Sequence, residues 1–431
     1  MNIVRKNTWL ILVYVIFFCA VFLFGPGKTM AAGTDITSEE IMIGDMLYDR
    51  INPDDPERIL LQKYVSPLTE HSLGRKYVTK VYVEGGTLPT EEFETYDSQP
   101  GLAGIVYGVM DRVLPFAPGT RLAFLHVLNG ALYCLMLTIL FAWASRWFSK
   151  TSLVLCAVFA ALAMPHTFSF ATNLYWLGWV QMLPMAVICL LLQKWKTYPK
   201  KCWGLFLGAF IPCAVRFLCQ YEYVSDVCIC LMVPILVQVC NEWKGWRQFW
   251  KVTLPPAFGA VAAFGFSVIY KLCLLAYLDG GFAAAWKRFM EPVAVRLLGK
   301  ASSAYEYSQE ASQAGLGETF YRIFKTPLYQ IGGIRVQLWH FVALAFMAVL
   351  VLALLSLGHK SAEKRGPQIC FAFLTFLAAV SWLILAKPHS YVHVGWAQST
   401  FFMPFLLFLP AYWWLAAKDI WRFWRGRRKN A

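Results

Sequence analysis

The chain has 431 residues, of which 58% are hydrophobic and 15% charged, with a mean hydropathy of +0.50. This composition excludes a water-soluble globular protein, and recurrent apolar runs near 20 residues point to membrane-spanning helices. The net charge of +14 does not indicate a nucleic-acid partner, because Lys and Arg gather in short segments between apolar runs, as the positive-inside rule expects.

The first apolar run, Trp9–Phe24, follows Arg5 and Lys6 and precedes Thr29-Met30-Ala31-Ala32. The run is long for a signal-peptide core and the small-residue site is imperfect, so it reads as an uncleaved first span. Residues 25–119 then form a polar block that holds most of the acidic residues and none of the 12 cysteines. A large acidic loop directly after a first span is the expected seat of chemistry in a membrane protein.

Within that block, Thr37-Ser-Glu-Glu40 reads as a capping box opening a helix. Ile43, Leu47 and Ile51, with Met42 and Met46 beside them, give this helix one apolar face. A helix lying on the membrane surface is expected over Glu39–Asp55, above the outer ends of the fifth, seventh and ninth spans. Asp54-Asp55-Pro56-Glu57 reads as a second helix start with Pro in the first turn. Lys76–Glu84 alternates and is β-branched, as a strand would be, and Gly85-Gly86 ends it. Tyr96-Asp97-Ser98-Gln99-Pro100-Gly101 reads as a turn and cap leading into a small-residue-rich helix over Leu102–Leu114.

Ten spans are expected, at roughly 8–25, 121–143, 152–169, 175–193, 203–220, 224–241, 253–278, 337–357, 368–386 and 397–417. The loops on one side carry Arg5, Lys6, Arg146, Lys150, Lys194, Lys196, Lys200, Lys201, Lys244, Arg247, Lys251, Lys360, Lys364, Arg365 and the basic tail from Lys418 to Lys429. The short loops opposite carry only Lys387. Both termini are therefore expected in the cytoplasm. The fold class is an all-α polytopic protein of the cytoplasmic membrane. Its organisation is a first span in 1–24, an external loop over 25–119, six spans over 120–278, a second external loop over 279–336, three spans over 337–417 and a cytoplasmic tail over 418–431. The second loop should contain amphipathic pieces at Phe282–Leu298 and Gly317–Phe324, with a mobile Ser302–Ala314 between them. The cysteines lie almost entirely inside spans, where they read as small buried apolar residues, and neither disulfides nor metal–sulfur sites are expected.

Ionisable residues inside spans are costly and usually functional. Arg216 lies one turn from the outer end of the fifth span and Lys271 in the outer third of the seventh. Glu222 and Asp226 bound the turn between the fifth and sixth spans, and Lys387, His389 and His393 lie just past the ninth. The inner halves of the spans contain no Asp, Glu, Lys, Arg or His. A channel or proton relay needs polar groups through the full depth. A polar site confined to one leaflet fits a substrate with a lipid-embedded tail and a charged head. Each residue also has a plainer reading. Arg216 and Lys271 would snorkel, Glu222 would cap a helix, and His389-x-x-x-His393 has metal-ligand spacing only on a helix, which Pro388 argues against. The two histidines otherwise read as hydrogen-bond donors to a phosphate.

Tyr96-Asp-Ser-Gln-Pro-Gly-Leu-Ala-Gly104, Asn173-Leu-Tyr-Trp-Leu with Leu183-Pro184, Gln220-Tyr-Glu-Tyr-Val-Ser225 and Lys387-Pro-His-Ser-Tyr-Val-His393 are similar to blocks of uncharacterised bacterial GT-C-like membrane proteins. The large loop after the first span also resembles the GT-C glycosyltransferases. The resemblance implies transfer of a sugar from a polyprenyl-phosphate donor to a glycan or lipid-linked acceptor on the outer membrane face. It implies an acidic pair in the first loop. Glu39-Glu40 is nearest in position and Asp54-Asp55 nearest in type, and neither has the Asp-Glu form. Such an enzyme needs a carboxylate base, here Glu39, Glu40, Asp54, Asp55 or Asp97. It needs donors around the leaving phosphate, here Arg216, Glu222, Lys271, Lys387, His389 and His393. The cofactor stays unknown: loop carboxylates would be able to hold a divalent cation, but nothing requires one. A lipid-linked saccharide transporter, and an oligosaccharide polymerase or ligase of the same topology, are the alternative readings.

Overall fold

The computed structural model describes residues 2–24, 36–65, 77–168, 170–194, 203–299, 309–358 and 365–430. Helix α1 (Asn2–Phe24) is followed by a cap of short elements. These are α2 (Ile36–Ile51), β1 (Gln62–Tyr64), α3 (Tyr77–Val83), β2 (Phe93–Thr95) and α4 (Leu102–Val113). A run of apolar helices comes next: α5 (Pro118–Ala144), α6 (Lys150–Ala163), α7 (Gly178–Lys194), α8 (Trp203–Cys219), α9 (Val224–Asn241) and α10 (Trp246–Leu278). The second polar stretch holds α11 (Phe282–Leu298), α12 (Gln309–Gln313), α13 (Leu316–Lys325) and the hairpin β3 (Pro327–Ile331) and β4 (Ile334–Gln337). The chain closes with α14 (Leu338–Gly358), α15 (Gly366–Leu385), α16 (Lys387–Val392), α17 (Val394–Phe402) and α18 (Leu409–Asn430).

Among the described residues, α5, α9, α10, α14 and α15 are long and apolar enough to cross a membrane. A sixth crossing results if α17 and α18, bent by 45° across their break, are one span. Pro404 lies in that break and has no N–H to continue the helical ladder. The chain is thus a helical membrane protein. The other expected spans are helical: α1 covers the first, and Lys150–Ala163, Gly178–Gln193 and Trp203–Cys219 are shorter apolar helices. The expected span at 152–169 stops at Ala163. The one at 175–193 starts only at Gly178, because Asn173 Oδ1 accepts from the Tyr175 and Trp176 amides at 2.9 and 3.0 Å and folds the backbone into a turn. In the bundle α8 packs against α10 and α7, α9 against α15 and α7, α5 against α1 and α7, and α14 against α18.

The cap corrects several expectations. Lys76–Glu84 is not a strand, since Tyr77–Val83 is helical. Its packing decides this over its β propensity: Val78 and Tyr82 are buried and the Tyr82 hydroxyl donates to Asp111. Nor does α2 lie on a membrane surface with one apolar face. Every residue from Ile41 to Tyr48 is buried, enclosed by the β1–β2 ribbon, α3 and α4. Each large apolar side chain buried there contributes about 1.5–3 kcal/mol. The helix already runs at Ile36, so Thr37 is not its N-cap, and Glu40 accepts instead from Thr79. The start of α2 is tied to α5 and the 173–174 turn, because Glu39 Oε1 accepts from the Leu174 amide at 3.0 Å and contacts His126 Nε2 at 2.9 Å; Ser38 and Ile41 line the same cavity as Glu222 and His389, beside the outer ends of α8 and α15 as expected.

Helices α2 and α4 approach closely because Gly104 and Gly108 face Asp45 and Asp49, where a Cβ would collide with their carboxylates. The antiparallel β1–β2 pair sets Lys63 opposite Glu94. Asp111 on α4 fastens the cap to α5 by accepting from Arg50 Nε at 2.6 Å and from Arg121 Nη1 at 2.7 Å. Burial raises the Asp111 pKa, but the bonds from Arg50, Tyr82 and Arg121 outweigh it and hold the group below its ordinary value.

In the second polar stretch, α11 and α13 fall where expected. Gln309–Gln313 is helical rather than mobile, and Ala311 and Ala314 pack against Tyr391. The rest of the expected mobile segment, up to 308, lies outside the described residues. Helix α16 shows that Pro388 does not prevent a helix: it occupies the first turn, where the missing N–H costs nothing.

Candidate functional site

The site is built where the 96–101 turn settles onto the turn between α8 and α9. Gly101 takes a left-handed φ of 96° and lets the chain swing from that turn into α4. Gln99 is fully buried and joins both turns: its Oε1 accepts from the Tyr221 amide at 2.8 Å, and its Nε2 donates to Glu222 and to the Tyr175 hydroxyl, the latter at 3.2 Å. Tyr223 adopts φ 59° as the N-cap of α9, so Glu222 is aimed away from the helix start and does not cap it.

Arg216 and Lys271 are both 0% exposed. Arg216 donates to Gln220 Oε1 at 2.8 Å and to the Glu222 carbonyl at 2.7 Å, while Gln220 donates onward to the Tyr175 carbonyl. Lys271 Nζ donates to the Gln99 carbonyl at 2.9 Å. Neither snorkels to a headgroup, and neither borders the cavities described below. Both act from beneath the site as supports for the two turns. The Gln220 side chain and the Glu222 and Gln99 carbonyls stand where a phosphate was expected.

Above this floor lies a cavity of about 240 Å³. Its walls are Tyr175, Trp176 and Glu222 on the bundle side, Lys63, Tyr96 and Ser98 from the cap, Arg296 on α11, and His389, His393 and Trp396 around α16 and α17. Arg296 Nη2 lies 3.1 Å from Glu222 Oε1 and 3.3 Å from the Tyr96 hydroxyl, and its Nη1 lies 3.4 Å from the Ser98 carbonyl. The two imidazoles meet at 4.6 Å between centroids, and His393 stacks on Trp396 at 4.0 Å. Burial first, and then the neighbouring His393 and Arg296 charges, push the His389 pKa well below its ordinary value. Burial and Arg296 lower His393 to about 4. At neutral pH both rings are uncharged, and the site's interior charges are Arg296 and Glu222.

A second cavity, an apolar groove of about 320 Å³, adjoins the first and shares Ser98, Pro292 and Arg296 with it. Val224, Phe264, Trp382 and Leu385 line it from α9, α10 and α15, and Phe289 and Leu297 from α11. A smaller cavity of about 100 Å³ lies on the cap side between Lys63, Glu94, Asp97, Arg288 and Glu291.

Of the residues singled out in the sequence, Glu222, His389 and His393 meet in the polar cavity, and Asp97 borders the apolar groove. Asp97 Oδ2 accepts from Arg288 Nε at 2.6 Å, and Arg288 also reaches Asp279 at 2.7 Å, so this carboxylate joins the cap to α11. The four first-loop carboxylates do not enter the cavity. Glu39 is held by Leu174 and His126, and Glu40 by Thr79. Asp55 accepts from the Glu57 amide at 2.8 Å and caps the 3-10 turn Pro56–Ile59. Asp54 is exposed. Lys387 donates to the Ala314 carbonyl instead of facing the cavity. Arg296 is the residue that sequence reasoning missed. It sits in the last turn of an amphipathic helix, where a basic residue is ordinarily read as a favourable partner of the helix dipole. Among the described residues no group of three or more His, Cys, Asp or Glu is placed to hold a metal ion.

No family model matches this chain, and neither the curated proteins nor the solved structures give a match.

Proposed function

We propose that the chain is a GT-C-like membrane glycosyltransferase that takes a sugar from a polyprenyl-phosphate donor and passes it to a glycan or lipid-linked acceptor. The observation that carries this reading is the junction of two unlike cavities at Arg296: an apolar groove opening among spans, and a polar chamber holding one guanidinium and one carboxylate. A prenyl tail suits the groove, and a phosphosugar head suits the chamber. The Lys and Arg asymmetry puts the cap on the external face and both termini in the cytoplasm. In this reading α1, α6, α7 and α8 also cross the bilayer, which gives ten spans.

Arg296 is the phosphate ligand, because its forked donors match phosphate oxygens and it already lies against Glu222. Phosphate binding competes with Glu222 for the guanidinium. The carboxylate so released accepts the proton of the acceptor hydroxyl. The hydroxyl oxygen attacks the anomeric carbon, the bond from that carbon to the phosphate oxygen breaks, and its electron pair leaves with the prenyl phosphate. The uncharged imidazoles of His389 and His393 donate hydrogen bonds without adding charge.

The test is transfer of radiolabelled sugar from polyprenyl-phosphate-hexose to membrane glycan by the purified protein in nanodiscs. Glu222→Gln should lower turnover by about 10²–10⁴, the worth of a general base, with donor binding kept. Arg296→Ala should weaken donor binding itself. Full activity in both variants sinks the proposal.

A further inference from the structure

Helices α9 and α15 run antiparallel along one another and touch at both ends. At the outer end Ser381 Oγ donates to Ser225 Oγ at 3.0 Å, and the Tyr223 ring meets Trp382 with centroids 5.2 Å apart. At the inner end the sulfurs of Cys240 and Cys370 lie 3.3 Å apart, although 130 positions separate the two residues in the chain. Cys240 is the last residue but one of α9, and Cys370 lies near the start of α15. Both are on the side of the basic loops, with Lys244, Arg247 and Lys251 following Cys240 and Arg365 preceding Cys370.

The surroundings of this pair differ from those of the core cysteines. Cys156 and Cys189 are wholly buried, and a thiol so enclosed is inert. Cys240 is exposed at a helix end and has a second, half-buried sulfur beside it. An accessible thiol next to a resolving thiol is the arrangement of a redox-responsive pair. Closing from 3.3 Å to the roughly 2.05 Å of a sulfur–sulfur bond asks for about 1.2 Å of approach, a movement on the scale of side-chain torsions.

We propose that Cys240 and Cys370 are an oxidation site: a reversible disulfide, formed by exchange with a small soluble disulfide such as oxidised glutathione, that ties α9 to α15 at their inner ends. The Cys240 thiol loses its proton, and its sulfur attacks one sulfur of oxidised glutathione. The glutathione sulfur–sulfur bond breaks, and the electron pair leaves with a glutathione thiolate that takes up a proton. Cys370, deprotonated in turn, attacks the Cys240 sulfur, and the second glutathione leaves in the same way. The protein pair is oxidised by two electrons, and one oxidised glutathione becomes two reduced ones.

In the orientation proposed above the pair faces the cytoplasm, where thiols are kept reduced and disulfides are transient and redox-sensing. The reduced pair is therefore the resting state. Oxidation closes a loop of 130 residues, and a cross-link over a long loop stabilises by restricting the unfolded chain. It also fixes two helices whose outer ends, at Val224 and at Trp382 and Leu385, line the apolar groove. The inference concerns the thiols alone and is independent of the glycosyltransferase reading.

The test treats the full-length protein in nanodiscs with oxidised glutathione, blocks the remaining thiols with N-ethylmaleimide, and reads the digested protein by mass spectrometry. In the wild type the peptides carrying Cys240 and Cys370 should be joined with the loss of two hydrogens, and dithiothreitol should separate them. Cys370→Ser should accumulate the mixed disulfide of Cys240 with glutathione, which the wild type resolves; Cys370→Ala serves if the Ser variant is not monodisperse. Oxidation should raise the Tm of the wild type by several degrees and leave that of Cys240→Ser unchanged. Three results overturn the inference: no joined peptides in the wild type, a glutathione adduct on Cys240 that lasts as long in the wild type as in Cys370→Ser, or joined peptides without a rise in Tm.

Discussion

Replacing Arg216 by Ala distinguishes a structural support from a ligand contact. The guanidinium is fully buried in the last turn of α8 and makes two hydrogen bonds, at 2.8 Å to Gln220 and 2.7 Å to the Glu222 carbonyl. Hydrogen bonds to charged groups are worth about 1.5–3 kcal/mol each, so removing both costs about 3–6 kcal/mol before any cavity term. Gln220 would also lose the partner that orients it toward Tyr175, and the 220–223 turn carrying Glu222 would loosen. Arg216→Ala should therefore lower the Tm of the detergent-solubilised protein by several degrees and reduce its yield in the membrane, with activity falling along with the fold. Arg216→Lys reaches at most one of the two acceptors and should lie between. The measurement is thermal unfolding followed by tryptophan fluorescence, alongside donor binding. A variant with wild-type Tm that has lost lipid-phosphate binding would refute this reasoning and restore Arg216 as a direct phosphate ligand.

Further outcomes concern the cap, the histidines and the topology. Gly104→Val would push its side chain into Asp45 and Leu61 and should destabilise the cap by about 1–3 kcal/mol, the usual cost of overpacking, read as a lower Tm; an unchanged Tm would mean α2 and α4 are not packed as described. His393 has its pKa lowered from 6.5 to about 4, so the unfolded chain binds the extra proton first. The stability this neutral ring contributes is therefore complete above about pH 6.5 and lost as pH falls toward 4, by up to about 3 kcal/mol. His393→Gln should show a shallower fall in Tm between pH 7 and 5 than the wild type, with Arg296 and His389 as the neighbouring groups. Cysteines placed at the exposed positions Glu91 and Glu318 should react with an impermeant maleimide in intact cells, and those at Arg247 and Arg422 only after permeabilisation. The opposite pattern would invert the orientation.

Much of the bundle is legible in the sequence, because apolar periodicity and Lys or Arg in the intervening loops are local signals. The 96–101 turn, α4, α11 and α13 are legible for the same reason. The site is less so. Arg296 bonds to Ser98 and Tyr96 across 198 and 200 residues, and no local pattern distinguishes it from a basic residue on an amphipathic helix. Arg216 and Lys271 are conspicuous as charges inside spans, but beyond the nearby Gln220 side chain their partners are the carbonyls of Glu222 and Gln99. A carbonyl is carried by every residue and leaves no mark in a sequence. The acidic residues of the first loop misled for the complementary reason. Glu39, Glu40 and Asp55 are used up as acceptors for amides and side chains that hold the cap together. The Tyr77–Val83 helix was hidden by β-branched residues whose packing outweighed their propensity.

The central claim is that Arg296 stands at the junction of a lipid groove and a sugar chamber. The most direct measurement is a cryo-EM structure of the protein in nanodiscs with a polyprenyl-phosphate-hexose bound to Glu222→Gln, so that turnover is blocked. The account predicts phosphate density against Arg296, a sugar ring in the chamber beside Trp396, and a tail running between Val224, Phe264 and Trp382. Lipid density elsewhere with the chamber empty, or a polar path continuing from the chamber through to the opposite face of the bundle, would contradict it.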